Sequence, residues 1–172
     1  MLRFSPPDVE FCKVFLYAYC LSHIGYGLSL TSTPAAADTI AAFLNGTGTK
    51  AEDYDLILTG DLGKIGTELL YEILQKEYDI NIQGHHNDTG LMMYDIDKQD
   101  VHSGGSGCGC CGTIMCSKIL NELNEGKLSK VLVVATGALL STVSAFQGES
   151  IPGIAHGVLL TDGRENHVKK HS

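Results

Sequence analysis

The stretch DLILTGDLGKIGTELLYEILQKE, Asp55 to Glu77, sets an apolar run, a glycine-bounded turn and an amphipathic segment end to end. Asp55 to Thr59 is short, aliphatic and closed by Gly60-Asp61-Leu62-Gly63, which reads as a buried strand and its exit turn. Beyond the turn, Leu69, Leu70, Ile73 and Leu74 recur at helical spacing and predict a helix over about 65–77. A buried strand running through a tight turn into an amphipathic helix is the repeating unit of layered α/β folds.

The flanking sequence repeats that unit. Lys130 to Thr136, KVLVVAT, is the clearest strand in the chain, and Ile154 to Leu160 predicts a last one. The loop from Gly104 to Gly112 opens a helix that runs to about Asn124, where Gly126 stops it. Upstream, Thr33 reads as an N-cap and Pro34 as a first-turn residue of a helix over about 34–45, closed by Asn45-Gly46. Leu91 to Tyr94 is a short strand candidate. Strands alternating with helices of about 10 to 14 residues imply helices flanking one sheet. Residues 34–162 form that domain, 163–172 a polar tail, and 1–33 an N-terminal segment without a helical or strand period.

A chain of 172 residues, 44% hydrophobic and 19% charged, is long enough to bury about two-thirds of its unfolded surface. A net charge of −8 repels nucleic acid and anionic lipid, and the one basic cluster, Lys169-Lys170-His171, is a terminal tail. The apolar stretch from Val9 to Leu30 is interrupted by Glu10, Lys13 and His23, so no transmembrane helix is expected. Of the six cysteines, Cys108, Cys110, Cys111 and Cys116 crowd together with no regular framework, which favours a reducing compartment. Their spacing is too tight for paired zinc ligands, and no metal or cofactor is expected.

The candidate site centres on Gly104-Gly-Ser-Gly-Cys-Gly-Cys-Cys-Gly112. Alternating glycines leave backbone N–H groups uncovered, and the following helix presents its positive end to a carboxylate or phosphate. No Gly-Lys-Ser/Thr follows and no Lys or Arg lies between Lys98 and Lys118, so it is not a P-loop. The same residues also fit a plain packed strand-to-helix turn. Asp61, just beyond a strand's carboxyl end, reads either as a pocket residue or as a helix-capping acid. His156 reads either as a ligand contact or acid–base group or as a satisfied core histidine. His85, His86 and Asp88 read as a solvated turn. Cys108 and Cys110 read as small buried hydrophobes or, with the helix dipole lowering a thiol pKa, as nucleophiles.

Several blocks together resemble the stage V sporulation protein AD family: Ala35 to Ile40, Asp53 to Leu62, Gly104 to Cys110, Val131 to Ser141 and Glu149 to His156. The resemblance runs in order from about Pro34 to Leu160. It implies an α/β thiolase-like layered fold, a mixed sheet flanked by helices, with this chain as the C-terminal half of the family's architecture. Residues 1–33 depart from the family pattern, as a truncated or frame-shifted gene start or a divergent N-terminus would. The implied function is binding of dipicolinic acid, or a similar small dicarboxylate, and assistance in its uptake into the developing spore, with a link to germination. The implied partners are other proteins of that uptake system, with a homodimer allowed and no nucleic acid. The implied location is peripheral, on the cytoplasmic face of the forespore inner membrane. The ligand set on this reading is Asp61, Gly105, Ser106, Gly107, Cys108, Gly109, Cys110 and His156. The rival reading is a condensing enzyme or acyltransferase with Cys108 or Cys110 as nucleophile and His156 as base, and a nonfunctional fragment is a third. Thiolase-like enzymes carry a nucleophilic cysteine in the other half and a histidine where this chain has Gly60-Asp61. The resemblance therefore implies binding without catalysis.

Overall fold

The computed structural model describes residues 12–20, 28–107, 109–138, 147 and 152–163. Five strands, β1 (Cys12–Cys20), β2 (Leu56–Thr59), β3 (His86–Asp88), β4 (Lys130–Ala138) and β5 (Pro152–Thr161), form one sheet in the order β1-β5-β4-β2-β3. β2 runs parallel to both β3 and β4, whereas β5 is antiparallel to β4 and to β1. The sheet is mixed, and helices cover both of its faces. The architecture is a layered α/β fold, as the alternation of strand and helix patterns implies.

On one face lie α1 (Leu28–Thr47) and α2 (Gly63–Tyr78). Ala35, Ala36, Ala37 and Ala41 are essentially unexposed, and these small side chains let α1 settle close to the strands beneath. Contact is close enough that Thr39 Oγ1 donates to the carbonyl of Ala155 at 3.2 Å, and a Cβ on Gly157 would meet Thr39 Cγ2 at 3.3 Å. Ile40, Phe43, Leu70 and Leu74 complete this layer against Ile57, Leu132 and Val134. The other face carries a continuous helical stretch made of α4 (Cys110–Ile114), a wide π turn (Met115–Ile119) and α5 (Leu120–Asn124). Its Ile114, Ile119 and Leu123 pack on Leu58, Val131, Val133 and Leu160. Alternate residues of β4 thus feed the two layers, as strand geometry requires.

Four expectations are corrected. Helix α1 begins at Leu28 rather than near residue 34, so Pro34 sits inside it and Thr33 is a buried side chain donating to the carbonyl of Gly66 at 3.5 Å. Proline by itself is a start signal, but burial of Ser32 and Thr33 just before it outweighs the lost backbone bond. The segment before residue 33 also supplies a whole strand, β1. The stretch around Leu91 is no strand: Thr89–Met93 forms a one-turn helix, α3, capped by Asp88, whose side chain accepts from the N–H of Gly90. Of the Gly84 to Asp88 segment only Gly84 and His85 lie in a turn, because His86–Asp88 is β3 and Asp88 is unexposed. No helix among the described residues is long and apolar enough to cross a membrane.

Candidate functional site

Parallel strands deliver their following loops to one edge of the sheet, where ligands of open α/β folds collect. Here the loops after β2, β3 and α3 meet beyond the carboxyl ends of β2 and β3. They meet backbone to backbone. A Cβ on Gly63 would stand 2.5 Å from the carbonyl oxygen of Ser103, one on Gly90 2.4 Å from that of Gly105, and one on Gly104 2.7 Å from that of Gly90. Glycine is required at these crossings because a side chain has no space.

Asp88 is the centre of the junction. Its Oδ2 accepts from Thr59 Oγ1 at 2.7 Å and from the N–H of Leu62 at 2.9 Å, and its Oδ1 accepts from the N–H groups of Gly63 and Gly90, both at 2.9 Å. Four donors, from the end of β2, its exit turn and the start of α3, therefore converge on one unexposed carboxylate. Burial pushes its pKa up, and these four donors pull against that by favouring the charged form. Ser103 finishes the same helix start: its carbonyl accepts from Lys64 N–H at 2.8 Å and its Oγ from Ile65 N–H at 3.4 Å. The orphan donors at the start of α2 are met by Asp88 and Ser103, both remote in sequence. Asp61, the acid expected as a candidate cap, does not cap α2.

A directional relay leads away from Asp88. Thr59 spends its one hydroxyl hydrogen on Asp88, so its oxygen accepts from His86 Nε2 at 3.0 Å. That fixes the His86 tautomer, leaving Nδ1 to accept from Tyr71 Oη at 2.9 Å. Burial pushes the His86 pKa down to about 4 and also raises that of Tyr71, to which the Asp88 charge adds. The sign for stability follows from the lowered value. Above the ordinary histidine pKa both folded and unfolded states are neutral there. As pH falls from 6.5 toward 4, only the unfolded state takes up the proton, and stability is lost. The expected loss from this one site is about 2–3 kcal/mol. Urea titrations at pH 7 and pH 4.5 should show a smaller drop for His86→Gln than for the unsubstituted protein; equal drops would remove His86 from the acid response.

The expected site residues divide into two groups. Asp61, Gly105 and Cys110 are brought together. Asp61 adopts a left-handed backbone, φ 57°, and its Oδ1 accepts from Thr89 Oγ1 at 2.8 Å, while Asp61 N–H donates to the same hydroxyl oxygen at 3.0 Å. Cys110 is buried, its Sγ donating to the carbonyl of Thr89 at 3.8 Å. Burial pushes its pKa up to about 12, with Asp61 adding to the shift. At neutral pH it is a protonated thiol, the opposite of the low-pKa nucleophile that the rival enzyme reading requires. Cys111 is raised as well, chiefly by burial. Its Sγ lies 3.6 Å from where a Gly60 Cβ would stand, which places it at the mouth between β2 and β4.

Gly105 is buried and its N–H donates to the carbonyl of Gly90 at 2.7 Å, so that amide is committed to the fold. Ser106, Gly107 and Gly109 are exposed at the entry to the helical stretch 110–124. Gly107, at φ 113°, takes a conformation that favours glycine. Cys108 lies outside the described residues. His156 stands on β5 opposite Ala135, on the face that α4 and α5 cover, and β4 separates it from β2. It is not gathered into the Asp61–Cys110 group. Among the described residues no three His, Cys, Asp or Glu side chains converge as metal ligands do.

Sequence reading missed Asp88 and His86. The available signal was a recurring Thr-Gly pair: Thr59-Gly60 closes β2, and Thr89-Gly90 directly follows His86–Asp88, which pairs with β2 in parallel.

Residues 25–161 match the family described as Stage V sporulation protein AD (SpoVAD). The chain is also 47% identical over 134 residues to Stage V sporulation protein AD of Bacillus subtilis (strain 168), an alignment covering 78% of this chain. It spans 39% of the length of that curated relative. The match takes in β2, Asp88, the glycine loop and both strands beyond it, so this chain belongs to the stage V sporulation protein AD family of sporulation proteins.

Proposed function

We propose that the exposed arc Ser106, Gly107 and Gly109 is a contact surface for the carboxylates of a small dicarboxylate, dipicolinic acid, within a spore-uptake system at the forespore inner membrane. The observation that carries the reading is the difference between neighbouring amides. Gly105 is tied into the junction, whereas the next residues face outward at the start of a helical stretch of about four turns, where backbone dipoles favour an anion. Family membership supports the sporulation context, and dipicolinic acid is the ligand implied by the resemblance. The raised pKa of Cys110 favours binding over acyl transfer at this place.

Exposure limits the affinity. Contacts in high dielectric are individually weak, and a net charge of −8 opposes an anion. The chain alone should bind dipicolinate no tighter than about millimolar, near −4 kcal/mol. A full-length relative should bind more tightly, and Ser106→Ala there should weaken binding by about 1 kcal/mol. Calorimetric titration measures both. Micromolar affinity in the 172-residue chain would mean a self-contained pocket elsewhere, and a full-length relative indifferent to Ser106→Ala would remove the arc from the site.

A further inference from the structure

We propose that Asp88 is the positioning residue of the ligand arc, acting through Gly90 and Gly105; this rests on the reading of Ser106, Gly107 and Gly109 as the contact surface. The path is short and continuous. Asp88 Oδ1 holds the N–H of Gly90 at 2.9 Å, the carbonyl of Gly90 holds the N–H of Gly105 at 2.7 Å, and Gly105 is bonded covalently to Ser106. A second tether comes from the same oxygen. Oδ1 also holds Gly63 at the start of α2, and the next residue, Lys64, binds the carbonyl of Ser103 at 2.8 Å. Asp88 thereby fixes both the residue before the arc and the residue that leads the chain into it.

The close approaches at Gly63, Gly90 and Gly104 hold the chain tightly as far as Gly105, so the carboxylate sets the direction in which the chain enters the arc. Asp88 touches no ligand on this account. Its unexposed side chain lies beneath the loops, and its role is to make the arc's N–H groups point one way before a carboxylate arrives. Pre-ordering of that kind reduces the entropy lost on binding.

The first test needs no substitution. Native-state hydrogen exchange of the unsubstituted chain should show the amides of Leu62, Gly63, Gly90 and Gly105 opening together, with protection equal to within about tenfold and the same denaturant dependence. A Gly105 amide exchanging more than about a hundredfold faster than the three Asp88-bound amides would overturn the proposal. The second test compares Asp88→Asn with Leu123→Ala, a core truncation at the far end of the helical stretch that the arc opens. In NMR titrations with dipicolinate, Asp88→Asn should raise Kd about tenfold, while Leu123→Ala leaves it within about twofold. Equal effects of the two substitutions would reduce Asp88 to a purely structural role. If Asp88→Asn does not fold, the exchange experiment decides alone. Absence of any dipicolinate response in the unsubstituted chain would refute the ligand reading, and the exchange pattern would still report whether Asp88 orders the loop.

Discussion

Asp88→Asn should destabilise the protein by about 3 kcal/mol, lowering Tm by roughly 6–12 °C for a chain of this size. Asparagine is nearly isosteric, so no cavity forms and the cost reports hydrogen bonding alone. One amide face still accepts two donors, but its NH2 group then confronts the donors that the other oxygen had held. Thr59 can rotate to accept instead of donate, yet a backbone N–H cannot, and at least one of Leu62, Gly63 and Gly90 is left unpaired. An orphaned buried donor costs about 1–3 kcal/mol, and disruption of the Thr59–His86–Tyr71 relay adds to it. Opposing this, a neutral side chain escapes the burial penalty that pushes the Asp88 pKa up. Thermal and urea denaturation decide between the two effects. A substitution that is neutral or stabilising would mean that relief of burial outweighs the four hydrogen bonds.

Gly90→Ala should cost about 2–3 kcal/mol, although it adds a single methyl group. Its Cβ would lie 2.4 Å from the Gly105 carbonyl oxygen and 2.9 Å from Asp88 Oδ1. The first neighbour is backbone and cannot rotate away, so the two segments must separate by about an ångström and stretch the Gly105–Gly90 bond. Gly112→Ala is the matched control. It lies in α4 with nothing within 4 Å of its added carbon, and helix propensity predicts a gain of about 0.5–1 kcal/mol. Opposite signs at two glycines flanking the same loop would locate the steric constraint at the backbone crossing. Equal small effects would show that the segments can move apart freely.

Much of the layered architecture was legible because it rests on local patterns. The aliphatic runs within Asp55–Thr59 and Lys130–Thr136 and the helical period of Leu70 and Leu74 belong to contiguous segments, and they form β2, β4 and α2. Illegible features depend on partners far along the chain. Asp88 looks like a turn residue in sequence, and only the parallel pairing of Thr59 with Asp88 makes it a buried carboxylate that caps α2 from 25 residues away. Leu91 to Met93 form a short apolar run that could serve either element, and the Asp88 cap settles it as a helix. Pro34 shows the same competition: a local start signal yields to a helix already seated on the sheet by its alanine face.

The glycine loop was found from sequence, but its inner division was not. Gly105 and Ser106 are adjacent, yet the first is buried with its amide bonded to Gly90 and the second is exposed. Asp61 and Cys110 lie side by side at the Thr89 turn, whereas His156 lies beyond β4.

The most direct test of the ligand arc is an amide-resolved NMR titration of the isotopically labelled chain with dipicolinate at tens of millimolar, with benzoate as a monocarboxylate control. The account predicts saturable shifts concentrated at the N–H groups of Ser106, Gly107 and Gly109, stronger for dipicolinate than for benzoate, with Gly105 and Gly90 moving little. Saturable shifts centred elsewhere, or a loop that stays silent throughout the titration, would contradict it.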